Sequence, residues 1–173
     1  VANELPTGMP DDAPTTTVEV TADVDRDRLW SLITDPAHPV AWSAELRDAE
    51  WLDDAPALGA RFIGHNSRGD RSWSTTSTVT VFEPGTRFGW TVEDLDDPVS
   101  SWTYELVDAA DGGTTVRFTC RLGPGPSGLT AAFETYPDKV QEITRRRLAD
   151  LRHNMLATVE GVTAHAAGHH DPT

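Results

Sequence analysis

Between Leu46 and Leu122 apolar residues alternate with polar ones, whereas after Asp25 and over the last quarter of the chain they recur every three or four positions. The alternation predicts strands at Thr15 to Ala22, Leu46 to Leu52, Ala60 to Ser67, Arg71 to Phe82, Arg87 to Leu95, Ser100 to Asp108 and Thr114 to Leu122. Turn chemistry separates the later ones: Pro56 to Gly59, Arg68-Gly69-Asp70, Pro84-Gly85, Asp96-Asp97-Pro98 and Asp111-Gly112-Gly113. Such short connections imply an antiparallel meander. Asp25 is a natural N-cap, with Val24 and Leu29 at hydrophobic-staple positions, for a helix whose stripe is Leu29, Leu32 and Ile33 and which stops near Thr34. Asp35-Pro36 opens a second helical turn toward Trp42, and Ser127 caps a short helix. Pro137 then restarts the chain into a long helix from Asp138 to Thr163. Residues 1–14 are expected to form a mobile arm, residues 15–163 one domain and residues 164–173 a polar tail.

The long terminal helix carries a mixed stripe. Val140, Thr144, Arg147, Leu148, Leu151, Asn154, Met155, Thr158 and Val162 fall within roughly 60° of Leu151 at 100° per residue. An arginine, an asparagine and two threonines on a face that must pack are costly unless paired or wetted. Strand periodicity puts Val79 and Val81 on one face with Trp73, Thr75 and Ser77. Phe88, Trp90 and Val92 share a face in the next strand, followed by Trp102, Tyr104 and Leu106, then Val116, Phe118, Cys120 and Leu122. Phe62, Gly64 and Asn66 line up likewise. The fold class implied is α+β: an antiparallel sheet curved around one long helix, since each has an apolar face needing a partner. A polar-studded stripe opposite an aromatic face suggests a hollow between them.

Charge narrows the partners. The 28 acidic against 14 basic side chains give a formal net charge of −14, which repels nucleic-acid phosphates and anionic lipid headgroups. The basic run Arg145-Arg146-Arg147 sits beside Glu142 and Asp150 and reads as a balanced helix face. The single cysteine, Cys120, excludes an internal disulfide and reads as a small core residue. No stretch reads as a membrane span or a signal peptide, so a cytoplasmic protein without membrane insertion is expected. His165 and His169 have the i,i+4 spacing of a metal pair but fall beyond the expected end of the helix. No metal and no cofactor are expected, and monomer or homodimer is left open. Phosphate-binding loops, dinucleotide fingerprints and nucleophile elbows are all missing from the sequence.

Glu45 follows Trp42-Ser43 at the passage into a strand, an edge that could open onto the hollow. It could pair with Arg147, or act as acid or base once desolvation raises its pKa. Arg147 could anchor an anionic ligand or be a structural cation tied to a carboxylate. Glu45 and Arg147 are therefore the catalytic candidates. Trp42, Trp73, Trp90, Trp102, Tyr104 and Phe118 would supply stacking and apolar contact, with Leu151 from the helix. Asn66, Thr75, Ser77, Arg147 and Asn154 would orient polar substituents.

Several stretches together resemble a known family. They are Val18-Glu19-Val20 before a capped helix with Leu29-Trp30; Trp42-Ser43-Ala44-Glu45; and Gly59-Ala60-Arg61-Phe62-Ile63-Gly64-His65-Asn66. Trp73-Ser74-Thr75-Thr76, Glu83-Pro84-Gly85-Thr86-Arg87-Phe88, and the terminal helix with Arg146-Arg147 and Asn154-Met155 complete the set. From about Thr15 to Thr163 the chain resembles the START-type helix-grip superfamily (SRPBCC) in its bacterial polyketide cyclase/dehydrase-like branch. The resemblance implies a seven-stranded sheet gripping the terminal helix around a hydrophobic cavity. It also implies a small, largely apolar ligand, polyketide-, aromatic- or lipid-like, with cyclase/dehydratase-type acid-base chemistry in some members. Binding is favoured over catalysis because no obligatory catalytic set is visible. The alternative is a protein-interaction or regulatory module that uses its acidic surface and has no catalytic activity.

Overall fold

The structure is a computed structural model that describes residues 2–54 and 56–168; His169 and His170 lie outside the described residues. Strand β1 (Thr15–Ala22) leads into helix α1 (Arg26–Ile33), a 3-10 turn at His38–Ala41, and then β2 (Leu46–Trp51), β3 (Arg61–Arg68) and β4 (Arg71–Glu83). β5 (Arg87–Val92), β6 (Ser100–Asp108) and β7 (Thr114–Leu122) complete the meander before α2 (Gly128–Thr135) and the long α3 (Val140–Ala166). The seven strands form one open sheet in the order β1-β7-β6-β5-β4-β3-β2, every neighbouring pair antiparallel. This is the helix-grip arrangement: an antiparallel sheet with its long terminal helix laid across one face.

The caps act as expected. The Asp25 carboxylate accepts from the N–H groups of Asp27 and Arg28 at 2.9 and 3.2 Å, and the staple residues Val24 and Leu29 are both buried. Ser127 and Thr130 form a reciprocal capping box at the start of α2. Pro137 occupies the first position of a short 3-10 turn, from which α3 starts afresh.

Two departures from simple alternation matter. β4 carries a register shift between Val79 and Val81, where it pairs with β5. Val79 stays inside opposite Trp90, but the extra residue turns Val81 toward Gly89 and brings Phe82 inward opposite Phe88. The expectation that Val79 and Val81 share the buried face is thereby corrected. β5 also ends at Val92 rather than Leu95, because Glu93 adopts a left-handed backbone with φ of 64°. The carboxylate and N–H of Glu93 bond back to the N–H and carbonyl of Thr76 at 3.0 and 2.8 Å.

Residues 3–14 lie along the sheet. Asn3 and Leu5 exchange backbone hydrogen bonds with Phe82 and Thr80 of β4, both 2.9 Å, and the Pro14 carbonyl accepts from the Leu122 N–H.

Packing along α3 is uneven. Leu151, Met155, Thr158, Val159, Val162, Thr163 and Ala166 are buried, whereas nothing N-terminal of Leu151 is. Full burial is therefore confined to the second half of the stripe predicted from Val140; Thr144, Arg147 and Leu148 are half-buried and Val140 itself is exposed. The helix also runs past Thr163, so His165 sits on an ordered last turn rather than in a tail, its ring 5.1 Å from His38 and 5.8 Å from Trp42. Trp42 closes this end against Gly161, where an added Cβ would lie 2.2 Å from the indole Cγ. Alanine suits a helix interior better than glycine by about 1 kcal/mol, but the rigid indole cannot yield that space cheaply. Gly161→Ala is therefore expected to lower stability by a net ~1 kcal/mol or more in urea unfolding.

Candidate functional site

The loop at Ser43–Glu45 is pinned to α3 at two points two turns apart. Arg147 grips Glu45 with both ends of its guanidinium, Nη1 to Oε1 at 2.6 Å and Nη2 to Oε2 at 2.9 Å. Asn154 accepts from the Ala44 N–H through Oδ1 at 2.6 Å, and its Nδ2 donates to the Ser43 hydroxyl at 3.4 Å. Ser43 in turn accepts from the N–H of Leu46 at 2.9 Å, which fixes the start of β2. Arg68 extends the network, 3.8 Å from Glu45 and 2.5 Å from Asp150. Two polar residues in the α3 stripe are thus accounted for by one loop. Of the two threonines in the stripe, Thr158 needs no outside partner for its donor, which goes to the Asn154 carbonyl of its own helix.

Burial alone would lower the Arg147 pKa, but the Glu45 hydrogen bonds and charge outweigh it and raise it. The pair is mostly shielded, with side-chain exposures of 22% for Arg147 and 16% for Glu45. A carboxylate held by two N–H groups is an acceptor at both oxygens, so proton transfer by Glu45 would first have to open the pair.

Under this half of α3 lies a hollow of about 210 Å³. Cross-strand register shows how it arises. Phe88, Tyr104, Phe118 and Val18 stand in one row across four strands, and Val79, Trp90, Trp102 and Cys120 in the next. The following row runs Phe62, Ser77, Val92, Ser100 and Leu122, small in its middle, and beyond it Thr75 faces Gly64, which faces Ala49. Large aromatics fill one end and small side chains leave space at the other. Trp90 and Trp102 stand parallel at 6.3 Å between centroids, and Tyr104 stacks on Phe118 at 3.9 Å.

The structure brings most of the predicted residues to this hollow: Glu45, Asn66, Thr75, Ser77, Trp90, Trp102, Tyr104, Phe118, Arg147, Leu151 and Asn154 all line it. Two predicted residues do not. Trp42 is turned to the far end of α3, against His38, Gly161 and His165. Trp73 lines a second, wider vestibule of about 1290 Å³. The two spaces share Thr75, Val99, Ser100, Trp102, Arg147 and Leu151 as walls, so they adjoin. The outer wall of the vestibule is α2, which has no buried residue and contributes Leu129 and Phe133. No strand or terminal-helix periodicity marks this wall. Its signal was present in Leu129 and Phe133, an i,i+4 apolar pair after a glycine–proline segment.

Three titratable groups behave differently. Burial pushes the Cys120 thiol up to about 12, against a smaller opposing effect of Arg147, so it remains protonated. Burial and then the charge of His165 lower the His38 pKa, with Asp35 opposing. Tyr104 is 1% exposed, burial holds its phenol protonated, and its hydroxyl has no hydrogen-bond partner among the described residues. Among those residues no group of three or more His, Cys, Asp or Glu could hold a metal ion, and no helix is long and apolar enough to cross a membrane.

Comparison with known proteins follows the same lines. The family described as polyketide cyclase / dehydrase and lipid transport matches residues 13–155. Among solved structures, a Polyketide_cyc-like protein from Corynebacterium glutamicum superposes with a TM-score of 0.63 at 23% identity, over 95% of this chain and 100% of its own. An aromatase/cyclase from a Streptomyces species gives 0.61 at 14% identity, over 88% and 93%. A di-domain aromatase/cyclase of the steffimycin biosynthetic pathway gives 0.72 at 12% identity, over 90% of this chain and 51% of its own. At these identities the likeness is one of fold. No curated protein sequence matches the chain.

Two outcomes test the geometry. Glu45→Gln and Arg147→Met should each cost about 1–3 kcal/mol, and the double variant less than their sum. Additivity in denaturant unfolding would show the two side chains to be independent. Cys120 should resist iodoacetamide in the native protein and react once guanidinium unfolds it; labelling at equal rates in both states would contradict the burial and high pKa of the thiol.

Proposed function

The chain belongs to the polyketide cyclase / dehydrase and lipid transport family, and from that premise we propose that it binds a small, largely apolar, ring-bearing molecule between the sheet and α3. The observation that carries the proposal is an aromatic-lined inner hollow that adjoins a wider vestibule. The inner space is of the size that holds one substituted ring, since a cavity of about 150 Å³ accommodates benzene. The remainder of a longer molecule would lie in the vestibule between Trp73, Trp102 and Phe133. The ligand is polyketide-, aromatic- or lipid-like. The relatives named as aromatase/cyclases support the first of these.

Binding is the favoured role over acid-base catalysis. Glu45 is engaged by Arg147 at both oxygens, and Cys120 is a buried thiol. A pair closed at both oxygens leaves Glu45 poorly placed to take a proton from a ligand. The hollow also weighs against a module that works only through its acidic exterior.

Native mass spectrometry of protein purified from its own host should detect a retained apolar small molecule. Trp102→Ala should cut the retained fraction about ten-fold by removing a stacking face. A protein that carries nothing from its host, and retains none of the apolar metabolites extracted from that host, would overturn the reading.

A further inference from the structure

The polar groups on the helix side of the hollow are already taken. Arg147 and Glu45 bond to each other, and Asn154 to Ala44 and Ser43. The sheet side differs. Asn66 of β3 and Thr75 and Ser77 of β4 all line the hollow, and neither hydroxyl has a hydrogen-bond partner among the described residues. Ser77 is only 3% exposed, but its oxygen is not sealed off, in contrast to that of Tyr104. Asn66 Nδ2 donates only to the Gly64 carbonyl, at 3.5 Å, the outer limit of a hydrogen bond.

Gly64 gives these groups their room. It stands opposite Thr75 on one side and Ala49 on the other, two residues from Asn66 on the same strand face. The position that a Cβ would take at Gly64 lies 3.8 Å from Asn66 Nδ2 and 3.9 Å from Thr75 Oγ1, with Leu46 Cδ1 at 3.3 Å. An amide and a hydroxyl thus converge, without bonding to each other, on space that any other residue would fill with its own side chain. The amide nitrogen only donates, and a hydroxyl donates or accepts, so an atom with two lone pairs and no proton satisfies both at once. A carbonyl oxygen is such an atom. A carboxylate fits less well, because the nearest inward cation, Arg147, is committed to Glu45 and the protein as a whole is strongly acidic.

We infer that Asn66 and Thr75, set around the open face of Gly64 and backed by Ser77, form a polar subsite that selects a neutral ring ketone. The inference rests on the proposal that the hollow binds a small apolar molecule. The carbonyl oxygen of the ligand sits over Gly64 and accepts from the Asn66 amide and the Thr75 hydroxyl, while its ring meets the aromatic wall at Phe62 and Trp90. In the empty protein water can serve the same donors, and a carbonyl replaces that water while reproducing its bonds. A hydrocarbon edge of the same size displaces the water and leaves both donors unpaired, which is the basis of the selection.

The test uses 1-indanone and indane, rigid probes that differ by a carbonyl in place of a methylene, in titration calorimetry on the wild type, Thr75→Val and Asn66→Leu. Both substitutions nearly keep the volume of the side chain and remove its donor. Each should weaken 1-indanone binding about ten-fold and change indane binding by no more than about two-fold. A merely structural role would move both probes together, and that outcome overturns the inference. So does 1-indanone binding that neither variant weakens, or a wild type that binds indane alone; both leave the ligand-binding proposal intact. The melting temperature of Thr75→Val should not fall, and a clear drop overturns the inference by showing the hydroxyl to be bonded within the protein. A wild type that binds neither probe overturns it as well, and the mass spectrum of host-purified protein then decides separately whether the ligand-binding proposal stands.

Discussion

The Arg147–Glu45 pair is what holds the first half of α3 to the rest of the molecule, since full burial of the helix begins only at Leu151. An amphipathic helix over an apolar sheet is driven to close down, since each buried aliphatic side chain contributes about 1.5–3 kcal/mol. From Leu151 onward α3 does close down, with Met155, Val159 and Val162 in the core. Ahead of Leu151 it does not, and there its inward contact is a guanidinium seated on a carboxylate. A two-point pair is more directional than an apolar contact, so it fixes a separation that dispersion forces would otherwise shrink. Asn154, two turns on, prevents the loop that carries Glu45 from following the helix in either direction.

The same pair decides the electrostatic character of the space it frames. The protein as a whole carries a formal charge of −14, yet the inward-facing arginine at the mouth is matched by its own carboxylate, and Arg68 by Asp150. An unmatched cation in so shielded a place would favour an anionic ligand; a matched one does not. What remains for a guest is aromatic surface and a few hydroxyls.

Much of this was legible in the residue order, for reasons that differ by feature. Asp25 and Ser127 cap helices through bonds to the next few residues, so three or four positions suffice to see them. The strands of the meander are bounded by glycine, proline and aspartate turns whose chemistry is equally local. The polar gaps in α3 singled out this part of the helix, but their partners lie 102 and 110 residues away and no periodicity could name them. Trp42 was misassigned for a related reason. It is close in sequence to Glu45, but it follows the 3-10 turn onto Gly161 instead of following the strand inward. Val81 failed on a single inserted residue, since one bulge inverts every face assignment beyond it.

Periodicity assigns a side chain to a face, but a cavity is made by rows, and rows depend on register between strands. The sequence drew attention to Trp90, Trp102 and Tyr104 because large residues are conspicuous. The space itself belongs to the small ones: Ala49, Gly64 and Thr75 across β2, β3 and β4, then Ser77 and Ser100 in the row behind. None of these is informative alone, since small residues occur throughout any strand. Placed side by side by the turns, they become a gap in a layer that is elsewhere close-packed. The aromatic end gives that gap a closed wall and the pinned helix keeps its roof from falling. Tyr104 belongs to the wall, stacked on Phe118 and buried with it in the close-packed end.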